Sequence, residues 1–295
     1  MILRLNKKIF MGVTIIMADN RGSIIISVFS TTPGIGKTVT AINLAAGIAH
    51  EGYSVCLVDL DLQFGDVMNY LQLTSDKTIA GAQRIYKANP ENFNIKDFLV
   101  EYRTGIYNFS VLPAPIYVSD AYQIDVLTVE NIVGQQLSYF DFIILDLNSV
   151  FSSLNLAMLD LSTIINYIGV IDFLPALKNF KVGYDTLIRF EYEEQKIRLV
   201  ENRADSQKLV QTADAEKLLG EKFYHRLPND FPAASKSISE GRPLMFVAPN
   251  SKLTKSFIEL TARYTDGQGI APITDFDTQF AKKGFFSRAL NVLFG

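Results

Sequence analysis

A chain of 295 residues, 48% hydrophobic and 20% charged, can bury one large core or two small ones and is too apolar to be disordered. Its formal net charge of -3 supplies no global positive field, which argues against broad electrostatic binding of nucleic acid. The single cysteine, Cys56, excludes an intrachain disulfide and a thiolate metal cluster, and its apolar setting, Ser54 to Val58, marks it as an inert core thiol.

At the N-terminus, Arg4, Lys7 and Lys8 precede the apolar run Ile9 to Ala18, which resembles a short secretory signal. The run is too short to span a bilayer as a helix, and a phosphate-binding sequence follows almost at once. Residues 1–22 are therefore read as a dispensable extension, with Met17 as an alternative start. An accessory strand, a membrane-touching arm and a true signal are the other readings.

From Ile24 to Phe29 the chain is continuously apolar, the mark of a strand covered on both faces. After a glycine-containing loop, Thr38 to His50 carries Ile42, Ala45, Ala46 and Ala49 at helical spacing. Gly52 ends this helix, and Val55 to Val58 forms the next strand. Strand, helix, strand predicts a parallel sheet with right-handed crossovers. Phe109 to Leu112 reads as a strand closed by Pro113 and Pro115, Val126 to Leu137 as a helix, and Phe140 to Leu145 as a buried strand. Ile164 to Ile171 and Ile197 to Val200 read as later strands around a helix from about Ala176 to Phe190. Leu209 to Leu219 and Lys252 to Tyr264 are further helices, and Thr265 to Phe280, rich in Asp, Gly, Thr and Pro, is a tether. The expected fold class is α/β: a single P-loop NTPase domain over residues 23–264 with a mostly parallel, helix-flanked sheet. A linker (265–281) and an amphipathic segment (282–295) complete the chain.

The chemistry is concentrated at Gly34-Ile35-Gly36-Lys37-Thr38, between an apolar strand and a helix. Glycines let backbone N–H groups face phosphate oxygens, and the helix N-terminus adds a positive end. Lys37 can reach the β/γ-phosphates, and the Thr38 hydroxyl can ligate Mg²⁺. The expected cradle is Pro33, Gly34, Ile35, Gly36, Lys37, Thr38 and Val39. Asp59 and Asp61 follow one buried strand and Asp146 another, at the carboxyl edge where nucleotides bind. Asp61 is the expected catalytic carboxylate, orienting or deprotonating water, with Lys37 as its catalytic partner. Thr38, Asp59 and Asp146 are the expected Mg²⁺ residues, Asp59 acting through water. The plainer alternatives are an incidental glycine turn and aspartates that cap the following helices. His50 and His225 are isolated and read as surface or packing residues. Lys178, Lys181, Lys196 and Arg198 read as a solvated charged face, with a small basic patch as the alternative.

With these residues in place the chain resembles the MinD/ParA (SIMIBI) group of ATPases, which carry a deviant phosphate loop. Within it, the chain is similar to the CpaE/TadZ branch, associated with assembly and polar placement of Flp-type (tight-adherence) pili. The narrowing segment is Val58-Asp59-Leu60-Asp61-Leu62-Gln63-Phe64-Gly65-Asp66. Val111 to Pro115, Phe142 to Leu147, Asn202-Arg203, Leu227 to Asp230 and Glu240 to Leu244 extend the likeness over about Ile24 to Tyr264.

The resemblance implies ATP and Mg²⁺ as cofactors. It also implies adenine recognition by the amide of Asn202, with Arg203 beside it and Pro228 flanking the base. It further implies an ATP-dependent homodimer in the cytoplasm, peripheral to the inner face of the membrane and placed at a pole, working with secretion or pilus-assembly machinery. Thr32 stands where the family has a signature lysine that reaches the partner's nucleotide, Pro33 where it has glycine, and Thr31 opens the pattern. Gly34 to Thr38 are intact, so ATP binding with weak, slow Mg²⁺-dependent hydrolysis is expected. The alternatives are a MinD/ParA-like spatial regulator of division or flagellar placement and a non-hydrolysing nucleotide-bound scaffold. Lys282-Lys283-Gly284-Phe285-Phe286 resembles the membrane-targeting tail of MinD, so residues 282–295 are expected to meet an anionic membrane surface or to dock on the core.

Overall fold

A computed structural model describes residues 23–104, 107–206 and 210–265. The expected extension (1–22), all of the linker but Thr265, and the segment 282–295 lie outside the described residues. The strands are β1 (Ile24–Phe29), β2 (Val55–Leu60), β3 (Val100–Thr104), β4 (Tyr107–Leu112), β5 (Phe142–Leu147), β6 (Ile164–Gly169), β7 (Ile197–Glu201) and β8 (His225–Arg226). They form one eight-stranded sheet in the order β3-β4-β2-β5-β1-β6-β7-β8. Every neighbouring pair is parallel except β3 with β4. Helices of six residues or more are α1 (Lys37–His50), α2 (Ile79–Ala88), α3 (Val126–Asn131), α4 (Ser153–Leu161), α5 (Leu174–Arg189), α6 (Thr212–Leu219), α7 (Phe231–Glu240) and α8 (Lys252–Ala262).

The central strands are continuously apolar because both sheet faces are covered. Successive side chains divide between the two faces. Ile26, Val28, Leu57 and Ile144 join the core under α1 and α8. Ile25, Phe29, Cys56, Val58, Ile143 and Leu145 join the opposite core under α2, α4 and α5. Each fully buried aliphatic side chain contributes roughly 1.5–3 kcal/mol, so the two faces hold the sheet centre rigid.

The differences from expectation have local causes. β3 reads Val-Glu-Tyr-Arg-Thr; it is an edge strand with only Tyr102 buried, so no apolar run announces it. The caps of α2, α4 and α7 are Thr78, Ser152 and Asp230, whose side chains accept from Gly81, Asn155 and Ala233 N–H. Those cap residues were an available signal for three helices that the sequence reading did not mark. The helix expected over Val126 to Leu137 ends at Asn131 and continues as a wider turn over Ile132–Gln136. Asp59 and Asp146 lie within β2 and β5 rather than just beyond them.

Candidate nucleotide and metal site

The loop after β1 turns on Gly34 (φ 70°) and Gly36 (φ 95°), left-handed conformations that favour glycine. Gly36 is also the N-cap of α1, and no side chain caps that helix. The first N–H groups of α1 thus form an open, positive concavity suited to phosphate. Pro33 and Gly34 are exposed, Ile35 is buried, and Lys37, Thr38 and Val39 are half-buried. The loop's entry is anchored to the opposite core: Thr31 Oγ1 lies 2.8 Å from the Tyr167 hydroxyl and 3.1 Å from the Asn179 carbonyl of α5.

Asp59 and Asp146 are direct neighbours in the register of β2 and β5. Each is 1% exposed, so two carboxyl groups share a nearly dry site. Burial pushes Asp146 up to about 7, with the nearby Thr38 hydroxyl and Lys37 ammonium opposing the shift. Burial, then the neighbouring Asp146, holds Asp59 well above the usual carboxylate range. The two differ in partners. Asp59 accepts from Asp61 N–H and Val67 N–H, both at 3.2 Å. Neither oxygen of Asp146 has a hydrogen-bond partner of adequate geometry.

Two orphaned, buried carboxylate oxygens beside a helix-start threonine are the chemistry a hard divalent cation satisfies. Mg²⁺ needs only one or two protein carboxylates when phosphate and water fill its octahedron. Among the described residues there is no group of three or more His, Cys, Asp or Glu side chains that could hold a metal ion. Asp146 and Thr38 would hold Mg²⁺ directly. Asp59, already engaged by two N–H groups, suits a role through water.

Lys37 points into the same site and donates to Ser149 Oγ at 2.7 Å. Burial lowers its pKa, while Asp146 and Asp61 oppose the shift. Asp61 is half-buried and raised by burial, with Lys37 opposing, so the expected catalytic pair lies on one side of the phosphate loop. The residue that sequence reasoning missed is Ser149. The buried amide of Asn155 holds its loop by donating to Asn148 Oδ1 (2.7 Å) and the Val150 carbonyl (2.6 Å). Its place three residues beyond Asp146, at a strand end, was the available signal.

Gly65 supplies the physical reason for the segment Leu62 to Asp66. A Cβ there would lie 2.5 Å from Asp59 Oδ2 and 2.6 Å from Ala114 Cβ, so only glycine lets this loop close over the buried acid.

On the other side of the phosphate loop, β7 is followed by Asn202 and Arg203. Asn202 Nδ2 donates to the Ile35 carbonyl at 2.6 Å, and Arg203 Nη2 donates to the Gly34 carbonyl at 3.0 Å. Leu227 N–H donates to the Glu201 carbonyl and Ala204 N–H to the Leu227 carbonyl, which brings half-buried Pro228 beside them. The remaining candidates are structural. His50 packs against the Tyr107 ring, and buried His225 bonds Ser256. Lys181 pairs with Asp185, while Lys196 and Arg198 lie over tyrosine rings. An apolar cleft of about 560 Å³ on α5 and Leu218 includes none of the phosphate-loop or acidic residues.

The family model described as AAA domain matches residues 23–171. The septum site-determining protein MinD of Thermotoga maritima is 24% identical over 268 residues, 86% of this chain and 92% of its own. Two other curated relatives are matched over only 43% and 51% of their own lengths. A ParA family ATPase from Chlorobium tepidum superposes with a TM-score of 0.73 at 22% identity, covering 81% of this chain and 98% of that one. MinD from Pyrococcus horikoshii, solved with Mg-ADP, superposes with a TM-score of 0.68 at 19% identity, covering 82% and 96%. The two solved structures show the same fold over about four-fifths of this chain.

Proposed function

This chain belongs to the AAA domain family, and from that premise we propose that it is an Mg²⁺-ATP-binding switch protein that hydrolyses slowly. The observation that carries the reading is the dry Asp59–Asp146 pair, with two unpartnered oxygens, beside Lys37 and the uncapped start of α1. A bound cation and triphosphate would satisfy each of these groups at once. Thr32 contributes no ammonium, which supports slow turnover and a role in organising other proteins rather than rapid work.

ATP-controlled pairing of two copies has support in the loops that follow β2, β4, β5 and β6. Phe64 (73%), Tyr117 (67%), Val150 (56%) and Phe173 (50%) leave large apolar surface exposed beyond the strand ends. Within this reading, the resemblance of the segment Leu62 to Asp66 favours the CpaE/TadZ-like role in assembling or placing tight-adherence pili. The alignment with T. maritima MinD over 86% of the chain favours a second reading, spatial regulation of division. Binding of purified protein to a secretion ATPase or to a division inhibitor separates the two.

The nucleotide reading is tested by calorimetry and phosphate release. Lys37→Ala should weaken Mg²⁺-ATP binding at least roughly a hundredfold, since it removes a charge-assisted contact and leaves the acids unopposed. Asp61→Ala should bind ATP nearly as the parent does and lose what turnover the parent shows. Undiminished ATP affinity in Lys37→Ala would overturn the site.

A further inference from the structure

We infer that Thr31, seated against the Tyr167 hydroxyl in a notch opened by Gly183, is a positioning residue that fixes the entry of the phosphate loop before any ligand arrives. The inference rests on the nucleotide-binding reading and adds to it a residue outside the cradle Pro33 to Val39. The ordinary phosphate-loop pattern, G-x-x-x-x-G-K-[ST], opens on a glycine. Counting back from Gly36, Lys37 and Thr38, that position is Thr31. A threonine there gives up glycine's conformational freedom and brings a hydroxyl, which finds partners across the sheet.

Thr31 Oγ1 donates to the Asn179 carbonyl at 3.1 Å and lies 2.8 Å from the Tyr167 hydroxyl. Each hydroxyl carries one proton, so with that of Thr31 given to Asn179, Tyr167 is the donor between the two. Tyr167 is itself held firmly. It is fully buried on β6, its ring stacks on Phe180 with centroids 4.9 Å apart, and the Phe180 carbonyl lies 3.2 Å from its hydroxyl. Gly183, inside α5, makes the meeting possible. A Cβ there would overlap the Tyr167 hydroxyl and lie 2.7 Å from both Oγ1 and Cγ2 of Thr31. One residue earlier, the buried hydroxyl of Ser30 accepts from Thr32 N–H at 3.1 Å, a second side-chain tie in the same turn. The residues that lead into the cradle are therefore set by side-chain bonds, from β6 and α5 on one side and from Ser30 on the other. A segment already ordered loses less conformational entropy when phosphate binds, which raises affinity.

Restoring the glycine of the ordinary pattern should therefore weaken the site rather than improve it. Mg²⁺-ATP and inorganic tripolyphosphate, titrated calorimetrically into the full chain, should bind Thr31→Gly and Tyr167→Phe roughly five- to tenfold more weakly than the parent. Thr31→Ser keeps the hydroxyl and should bind as the parent does. Tyr167→Phe removes one oxygen and keeps the ring stack, so its loss is independent of glycine's flexibility. The double variant Thr31→Gly with Tyr167→Phe should lose less than the product of the two, because both break one contact. Thermal melts establish folding, and the Thr31 variants carry the test if Tyr167→Phe does not fold. Without ligand, amide hydrogen exchange from Thr31 to Gly36 should be faster in Thr31→Gly and Tyr167→Phe than in the parent or Thr31→Ser. Unchanged affinity in Thr31→Gly, unchanged exchange, or a loss in Thr31→Ser as large as in Thr31→Gly would each overturn the inference. A parent protein that binds neither ligand would overturn the nucleotide reading instead, and the exchange rates would still decide whether the tie orders the loop.

Discussion

Asp146 stands beside Asp59 on adjacent strands, with both its oxygens unpartnered in a dry interior. Burial raises its pKa from 3.8 to about 7, so between those values the folded chain holds a proton that the unfolded chain has released. Stability must then fall as pH rises through this window, and above about 7 the full destabilisation is present. Asp146→Asn removes the titrating group. Without nucleotide, it should melt roughly 5 °C above the parent at pH 8, with the gap closing toward pH 5. Melting curves across that range check the sign, and a parent that gains on the variant as pH rises would contradict it. The same substitution should weaken Mg²⁺-dependent tightening of nucleotide binding, because an amide oxygen carries no charge.

Strand β2 and the turn after it show how a motif acquires its reason. Asp59 is delivered by a fully buried strand, and the chain must then fold back closely enough for Val67 N–H to reach Oδ2. Gly65 makes that return possible. Gly65→Ala places a methyl group against both Asp59 and Ala114, and overpacking of this kind typically costs about 1–3 kcal/mol. The variant should show a lower denaturant midpoint and weaker Mg²⁺-dependent ATP binding, whereas Mg²⁺-free nucleotide binding should change less. Equal midpoints in parent and variant would show that the turn opens freely and that the close approach is not required. The motif itself was legible as a string of residues. Its contact with Ala114, across β4, was not, because that approach depends on how β2 and β4 pair.

At the level of the whole molecule, the phosphate loop is tied to the elements beyond β1 in the sheet order, through Thr31 to α5 and through Asn202 to the residues that follow β7. The amphipathic segment 282–295 lies outside the described residues, and its role is argued from sequence alone. Phe285, Phe286, Leu290, Leu293 and Phe294 share one side of a helical wheel, with Lys282 and Lys283 preceding them. Among the described residues no helix is long and apolar enough to cross a membrane. One short amphipathic helix binds a surface weakly, and two held together bind far better. Full-length protein should co-sediment with anionic liposomes, more so with ATP, while a chain ending at Phe280 should remain in solution. Equal sedimentation of the two forms would remove the tail from the mechanism and favour docking on the core.

By itself the sequence determined the α/β class, the central strands and the phosphate loop, because each rests on local pattern. A strand covered on both faces must be apolar throughout, and a loop that cradles phosphate needs glycine at set positions. The positions of Lys37, Thr38, Asp61 and Asp146 in the fold were legible for the same reason, since a residue near a strand end or helix start is placed by its own element. Tertiary structure decided what depends on neighbours distant in the chain. Strand register brought Asp59 against Asp146, the Asn155 amide set Ser149 in reach of Lys37, and half-exposed β3 was recruited by pairing rather than by its own pattern. Most of all it turned the amide of Asn202 toward the phosphate loop, since where a carboxamide points is settled by the carbonyls that surround it.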